Sequence, residues 1–433
     1  MSGPVIGMLG FAGTLLLIAF ELPVGIAMGI AGIAGYAALN GIPATGYILG
    51  TAIFDSVSNY GLSVIPLFLM MGIFASRSGL STDLFSFVNA FVGHLRGGLA
   101  IASIGACAGF GAICGSSLAT VATITPVALP EMRRYGYDDR LASGAIAAGG
   151  TLGILIPPSI ILVVYSLLTQ ESLGKLFIAA LVPGALGTLL YALGVVVQTR
   201  INPALGPAGP RTPWDERLRV TLRVWPVLGL FALVMGGIYA GWFSPTEAAA
   251  VGAAGALLIA FLRGSLKNGV FGAAARETIE LSGTLFMVMM GAAIFNFFIE
   301  TTQLPQLLVQ AVNGSGLPAL AIILLIIGCY IVLGCFMDAL SMILLTVPFV
   351  FPVVKALGFD PLWFGIIIVT VTEIGLITPP IGMNLFVIVG VAKNLPTGTV
   401  IRGVVPFIIC DVVRVVLLVA FPIIVTWLPS TMK

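Results

Sequence analysis

Gly153-Ile154-Leu155-Ile156-Pro157-Pro158-Ser159 and, 222 residues later, Gly375-Leu376-Ile377-Thr378-Pro379-Pro380-Ile381 decide how this chain folds. Each Pro-Pro pair lies in an apolar stretch of helix length. Proline has no N–H to donate and its ring collides with the preceding turn, so neither stretch continues as one α-helix. The same 222-residue shift lays Cys107 on Cys329, Pro126 on Pro348, Pro130 on Pro352, Gly136 on Gly358, Asp138 on Asp360, Pro23 on Pro245 and Asp55 on Glu277. Met70-Met71-Gly72 meets Met289-Met290-Gly291 once three residues are gapped. The chain therefore reads as two homologous halves, each with one broken helix.

Of 433 residues 59% are hydrophobic and 8% charged, with a mean hydropathy of +1.14, against roughly 25% charged residues in soluble domains. So few charges cannot clothe a soluble surface around that much apolar side chain, and the fold class is an all-α polytopic membrane protein. The 54 glycines and 26 prolines suit close helix packing and discontinuous helices. A net charge of +2 without a basic cluster gives no footprint for nucleic acid. Cys107, Cys114, Cys329, Cys335 and Cys410 lie in apolar segments without metal-ligand spacing and read as small packing residues. One histidine, His94, cannot build a zinc hydrolase, and no Gly-Lys-Ser/Thr phosphate loop or other cofactor motif is present. Met1-Ser2-Gly3-Pro4 lacks a basic n-region, so the first apolar run is expected to be a membrane element.

In order, apolar runs at 5–20 and 22–39 form a tight pair around Glu21-Leu22-Pro23, ended by Asn40-Gly41-Ile42-Pro43. Residues 45–59, with Asp55, Ser56, Ser58 and Asn59, and their counterpart 267–281, with Arg276, Glu277 and Glu280, read as interfacial arms. Each precedes a span, at 61–77 and 282–299. From Gly97 to Leu129 an apolar stretch is interrupted at Gly109-Phe110-Gly111 and Cys114-Gly115-Ser116-Ser117, the pattern of a re-entrant hairpin with a polar tip. The broken segment 141–168 and a span at 173–197 follow. The basic stretch 198–223, carrying Arg200, Arg211, Arg217, Arg219 and Arg223, is expected to be a cytoplasmic linker. Spans at 225–242 and 245–262 return to a short loop with Arg263 and Lys267. The second half then offers a span at 317–333, a hairpin tip at Gly334-Cys335-Phe336-Met337-Asp338, a broken helix at 362–391 and a last span at 403–428. The count is about eleven crossings plus two hairpins, and an odd number per half would make the repeats inverted. The expected organisation is a first repeat 1–197, linker 198–223 and second repeat 224–433, with a transport unit of 97–170 plus 317–391 on a scaffold of the other spans.

Polar groups at the tips and breaks are the candidate site. Ser116, Ser117 and Thr120 in one half answer Asp338 and Ser341 in the other, Ser116 and Asp338 being one repeat apart. A broken helix exposes carbonyl oxygens suited to Na⁺, and a half-helix N-terminus presents N–H groups to an anion. The serines and Thr120 can instead bond to their own helices. Burying a carboxylate near a helix centre costs about 2.5–3.5 kcal/mol on insertion scales, which favours an ion-linked or hydrogen-bonded role for Asp338. Glu373 can touch an ion, sense one, or hold the break open through freed N–H groups, and the supporting role is preferred. Glu21 and Ser244-Glu247 read as helix caps, and Met70, Met71, Met289 and Met290 as packing.

These residues carry a family resemblance. Gly115-Ser116-Ser117 with Ala119-Thr120, the segment Gly153–Ser159, Ser244-Pro245-Thr246-Glu247-Ala248-Ala249-Ala250-Val251-Gly252-Ala253, and Glu373-Ile374-Gly375-Leu376-Ile377-Thr378-Pro379-Pro380 together resemble the large membrane subunit (DctM-like) of the tripartite ATP-independent periplasmic (TRAP) transporters. The resemblance runs over essentially the whole chain. It implies a bacterial inner-membrane, Na⁺-coupled importer of small organic anions such as carboxylates, working by an elevator motion. It also implies a periplasmic substrate-binding protein (DctP-like) and a small four-helix membrane subunit (DctQ-like), the latter expected as a separate chain. Carried over by motif, it puts Na⁺ at Ser116, Thr120, Gly153, Asp338, Gly375 and Thr378, and substrate at Ser116, Ser117, Pro157, Ser159, Thr378 and Pro379.

Alternatives are an ion-coupled organic-anion transporter working without a binding protein, a membrane scaffold, and an intramembrane enzyme with Ser117 as nucleophile. The last lacks any histidine partner or H-E-x-x-H motif.

Overall fold

The computed structural model describes residues 2–266, 269–392 and 394–432. Met1 and Lys267, both read above, lie outside the described residues, as does the start of the 267–281 arm. Among the described residues every regular element is helical. The first half runs α1 (Gly3–Ala19), α2 (Val24–Ser58), a 3₁₀ turn (Tyr60–Ser63), α3 (Val64–Arg77), α4 (Leu80–Val92), α5 (Gly98–Cys114), α6 (Ser117–Arg134), α7 (Asp139–Leu155), α8 (Ile160–Thr169) and α9 (Leu173–Ile201). The second runs α10 (Trp214–Tyr239), α11 (Pro245–Leu262), α12 (Val270–Thr301), α13 (Leu304–Gly314), α14 (Ala319–Gly334), α15 (Ala339–Ala356), α16 (Pro361–Ile377), α17 (Met383–Val391), α18 (Thr397–Ala420) and α19 (Ile423–Ser430).

The 222-residue shift carries both ends of α6 onto α15 and both ends of α7 onto α16. Local chemistry repeats with it. Asp138 caps α7 by accepting from the Arg140 N–H at 2.7 Å, and Asp360 caps α16 by accepting from Leu362 and Trp363 N–H at 2.7 and 3.0 Å. Both helices stop at the proline pairs, after which α8 and α17 resume.

Several expectations are corrected. α5 passes unbroken through Gly109-Phe110-Gly111, and the only interruption there is Gly115-Ser116. The glycines serve contact instead: a Cβ on Gly111 would stand 2.4 Å from Gly153 Cα. The basic linker is shorter than 198–223, because α9 runs to Ile201 and α10 begins at Trp214, leaving 202–213 between helices. Arg217 is thereby helical and stacks over Trp214 at 4.8 Å and Phe91 at 5.6 Å. Glu21 caps nothing; it sits exposed at φ +65° and α2 has no side-chain cap. Ser244 and Glu247 do form a capping box. The first arm is set off by a kink at Gly41, φ +81°, whereas its counterpart merges with the next span in the unbroken α12. The 403–428 span divides at Phe421-Pro422 into α18 and α19.

Nine helical stretches among the described residues are long and apolar enough to cross a membrane, against about eleven from the sequence. α1, α4, α5, α14 and α16 are apolar as well, at 13–17 residues, the longest of them at the lower end of the spanning range.

Two packed groups result. α2 lies along α12, and α3 against α11 and α12; α7 lies at the centre of the other group, touching α5, α6, α9, α16 and α18. Small residues set these distances, since helices in lipid associate by close packing and not by hydrophobic drive. A Cβ on Gly291 of α12 would stand 1.8 Å from the Gly25 carbonyl oxygen of α2, and one on Gly144 of α7 2.2 Å from the Gly403 carbonyl oxygen of α18. All five thiols are free, three of them buried.

Gly291→Ala is expected to destabilise the α2–α12 pair by roughly 1–3 kcal/mol through overpacking. Gly283→Ala on the same helix, with no atom within 4 Å of the new Cβ, serves as the control. Scanning fluorimetry in detergent should show a lower midpoint for Gly291→Ala alone; equal midpoints would contradict the crossing.

Candidate functional site

At the first tip Gly115 holds φ +64°, and a Cβ there would stand 2.6 Å from the Pro158 carbonyl oxygen, so the hairpin tip rests directly on the proline break. Ser116 follows as the N-cap of α6, its hydroxyl accepting from the Ala119 N–H at 3.4 Å. The Thr120 hydroxyl donates to the Ser116 carbonyl at 2.7 Å. A Cβ on Gly153 would lie 2.8 Å from Thr120 Oγ1 and 3.1 Å from the Ser116 carbonyl oxygen. The structure thus brings Ser116, Thr120 and Gly153 together, and only glycine fits the third position. Pro157, Pro158 and Ser159 are buried beside them. Ser159 donates to the Ile154 carbonyl and caps α8, accepting from Leu162 N–H at 3.3 Å. It thereby satisfies one carbonyl freed by the prolines.

Ser117 faces elsewhere. It is buried and bonded to Asn384 of α17, at 3.0 Å to Oδ1 and 2.8 Å to Nδ2, while Asn384 Nδ2 also donates to the Ala147 carbonyl of α7 at 3.1 Å. This clamp ties α6, α7 and α17 together. Asn384 was not singled out from the sequence, although an amide inside an apolar nine-residue helix was the available signal.

In the second half Asp338 caps α15. It accepts from the Ser341 N–H at 3.0 Å and from the Ser341 hydroxyl. Gly375 meets Gly334 of the hairpin backbone to backbone; a Cβ on Gly375 would lie 2.5 Å from the Gly334 carbonyl carbon. Thr378 donates its hydroxyl to the Ile374 carbonyl at 2.5 Å and its N–H to the Gly375 carbonyl at 3.2 Å. Pro379 is half-buried and Pro380 exposed, so this break is more open than the first. Among the described residues no three His, Cys, Asp or Glu side chains converge as metal ligands. The oxygens gathered here are carbonyl and hydroxyl, a donor set for a hard cation.

Two cavities flank the hairpins. One of about 330 Å³ is lined by Gly72, Ser76, Cys114, Ser116, Thr123, Glu277 and Thr284. The other, about 160 Å³, is lined by Asp55, Asn59, Leu167, Asn296 and Leu344. Under the repeat Glu277 answers Asp55, and Ala122, in the wall of the larger, answers Leu344. The cavities are therefore counterparts of unequal size. Glu277 pairs with Arg77 at 2.6 Å beside the larger one.

Glu373 does not hold the break through freed N–H groups, as its sequence position suggested. Its carboxylate pairs instead with Arg414 of α18, which also meets Asp411 at 2.8 Å, and Tyr191 of α9 donates to Asp411 at 2.7 Å. Asp411, Arg414 and Tyr191 were missed. Opposite charges three residues apart inside an apolar run were the readable sign.

Known proteins share this architecture and sequence. Residues 11–424 match the family model described as the tripartite ATP-independent periplasmic transporter, DctM component. The chain is 39% identical over 384 residues to the C4-dicarboxylate TRAP transporter large permease protein DctM of Pseudomonas aeruginosa, covering 88% of this chain and 87% of that protein. It is 34% identical over 363 residues to the ectoine TRAP transporter large permease protein TeaC of Halomonas elongata, covering 83% and 84%. In fold it is similar to the YdaH transporter of Alcanivorax borkumensis, with a TM-score of 0.57 at 16% identity over 96% of this chain and 98% of that one. A multi-pass architecture, the near full-length family match and relatives that are bacterial permeases lead to one conclusion: this chain belongs to the DctM component family of the tripartite ATP-independent periplasmic transporters, as a multi-pass inner-membrane protein.

Proposed function

We propose that the chain is the permease of a Na⁺-coupled importer of small organic anions, fed by a periplasmic binding protein and braced by a small four-helix membrane subunit. The observation that carries this reading is the meeting of the Ser116 carbonyl, the Thr120 hydroxyl and Gly153 at the first break. Oxygen donors alone suit Na⁺, and each Na⁺ carried fully through 100 mV contributes about 2.3 kcal/mol to uphill uptake. Asp338, Gly375 and Thr378 are the corresponding ion region in the second half. Substrate sits between the two regions, against Ser116, Pro157, Thr378 and Pro379, with its carboxylate drawn to the half-helix N-termini and bound cations, while Ser117 and Ser159, buried and bonded to Asn384 and the Ile154 carbonyl, hold the helix starts behind it.

The paired cavities support alternating access. The larger reaches Glu277, whose partner Arg77 closes α3, on the side where Arg263 pairs with Asp83 and reaches the Arg223 carbonyl. Basic loops mark the cytoplasmic face, so this is an inward-facing arrangement. A unit of 97–170 plus 317–391 then moves in elevator fashion against the α2–α12 scaffold. α9 and α18 pack on both broken helices and travel with it, which enlarges the unit. The named cargoes of relatives, a C4-dicarboxylate and ectoine, make a C4-dicarboxylate the first substrate to test.

In proteoliposomes holding the permease, its small subunit and its binding protein, succinate uptake should require Na⁺ on the binding-protein side and collapse when choline replaces it. Undiminished uptake in choline would refute the coupling. Gly153→Ala should raise the half-saturating Na⁺ concentration about tenfold, the loss expected for one displaced oxygen contact; an unchanged value would remove this triad from the ion region. Asp338→Asn keeps a good N-cap while deleting the charge. Correct folding with weakened Na⁺ dependence is expected, and unchanged dependence would leave Asp338 a cap alone.

A further inference from the structure

Thr151 and Glu373 are equivalent positions in the two halves, each two residues before the glycine that opens its break. Two residues turn a helix by about 200°, so each side chain faces away from the hairpin its glycine touches. On that far side five fully buried side chains are linked. Thr151 Oγ1 lies 3.2 Å from Tyr191 Oη, Tyr191 donates to Asp411, and the Arg414 guanidinium reaches both Asp411 and Glu373 through one nitrogen, Nη2. Gly187 makes room for it, since a Cβ there would lie 2.4 Å from Arg414 Nη1.

With both acids ionised, the charges in this cluster do not balance. Two carboxylates face one guanidinium, and Glu373 Oε1, Arg414 Nε and Arg414 Nη1 have no hydrogen-bond partner. An excess negative charge sealed inside a membrane protein is costly unless a positive charge stands near it. Among the described residues no second cationic side chain pairs with either acid. Just across α7 and α16 lie the two breaks.

We propose that Glu373, Asp411 and Arg414 form a counter-charge shared by the two cation regions, setting their Na⁺ affinity from behind the broken helices without touching the ion. The proposal rests on the Na⁺-coupled reading above. Glu373 and Asp411 are thus positioning residues acting through the field, and Arg414 trims their combined charge to a single excess unit. Across one helix, about 10 Å, and at an effective dielectric of about 20, a unit charge changes cation affinity by roughly tenfold.

The test is equilibrium binding of radiolabelled Na⁺ to the purified full chain in nanodiscs, with K⁺ holding ionic strength constant. Glu373→Gln should weaken binding roughly tenfold, and Glu373→Asp should retain near wild-type affinity. Glu373→Gln combined with Arg414→Gln restores one excess negative charge and should recover affinity to within about twofold of wild type. A merely structural ion pair would make the double variant no better than the single one, and that result overturns the proposal. Unchanged binding in Glu373→Gln, with wild type binding Na⁺ normally, overturns it while leaving the Na⁺ reading intact. Absence of Na⁺ binding by wild type sinks both.

Discussion

A backbone carbonyl stripped of its helix partner inside an apolar medium must find another donor or a cation. Each proline pair imposes that condition, and much of the molecule is arranged around it. Ser159 and Thr378 return hydroxyl donors to carbonyls at the breaks. Gly115 lets the first tip settle on the Pro158 carbonyl, while Gly111 against Gly153 and Gly334 against Gly375 bring each hairpin to its broken helix. Around Gly153 the Ser116 carbonyl accepts from both the N–H and the hydroxyl of Thr120, at 3.1 and 2.7 Å, and these are the oxygens proposed above to take the ion.

The two halves share a frame and differ in charge. Ser116 is answered by Asp338, and Thr151 by Glu373, so in both comparisons the first half carries a hydroxyl and the second a carboxylate. The frame repeats to the residue at α6, α7, α15 and α16. Away from the breaks it relaxes, with a kinked α2 and a separate α3 on one side and the single long α12 on the other. Strict repetition is kept where backbone groups must meet, and lost where helices need only cover apolar surface.

Much of this was legible before any coordinates. Proline pairs, the 222-residue shift and the apolar composition led to the membrane class and the broken helices, because each follows from local backbone chemistry. Ser116 and Thr120 were readable as a polar tip beside the proline break, whereas Gly153 joined them only through the family resemblance. The Gly109-Phe110-Gly111 interruption failed because glycine in an apolar helix serves close packing as readily as a bend. Asn384, Asp411 and Arg414 left a local sign, polar groups in apolar helices, and Tyr191 left none; what they meet on other helices was not legible, because those partners lie from 40 to 267 residues away.

The most direct measurement is an experimental density map of the protein in Na⁺ compared with one in choline. The account predicts a compact feature, present only in Na⁺, between the Ser116 carbonyl, Thr120 Oγ1 and Gly153. Maps that coincide there, with those oxygens bonded to water continuous with the bulk, would contradict it.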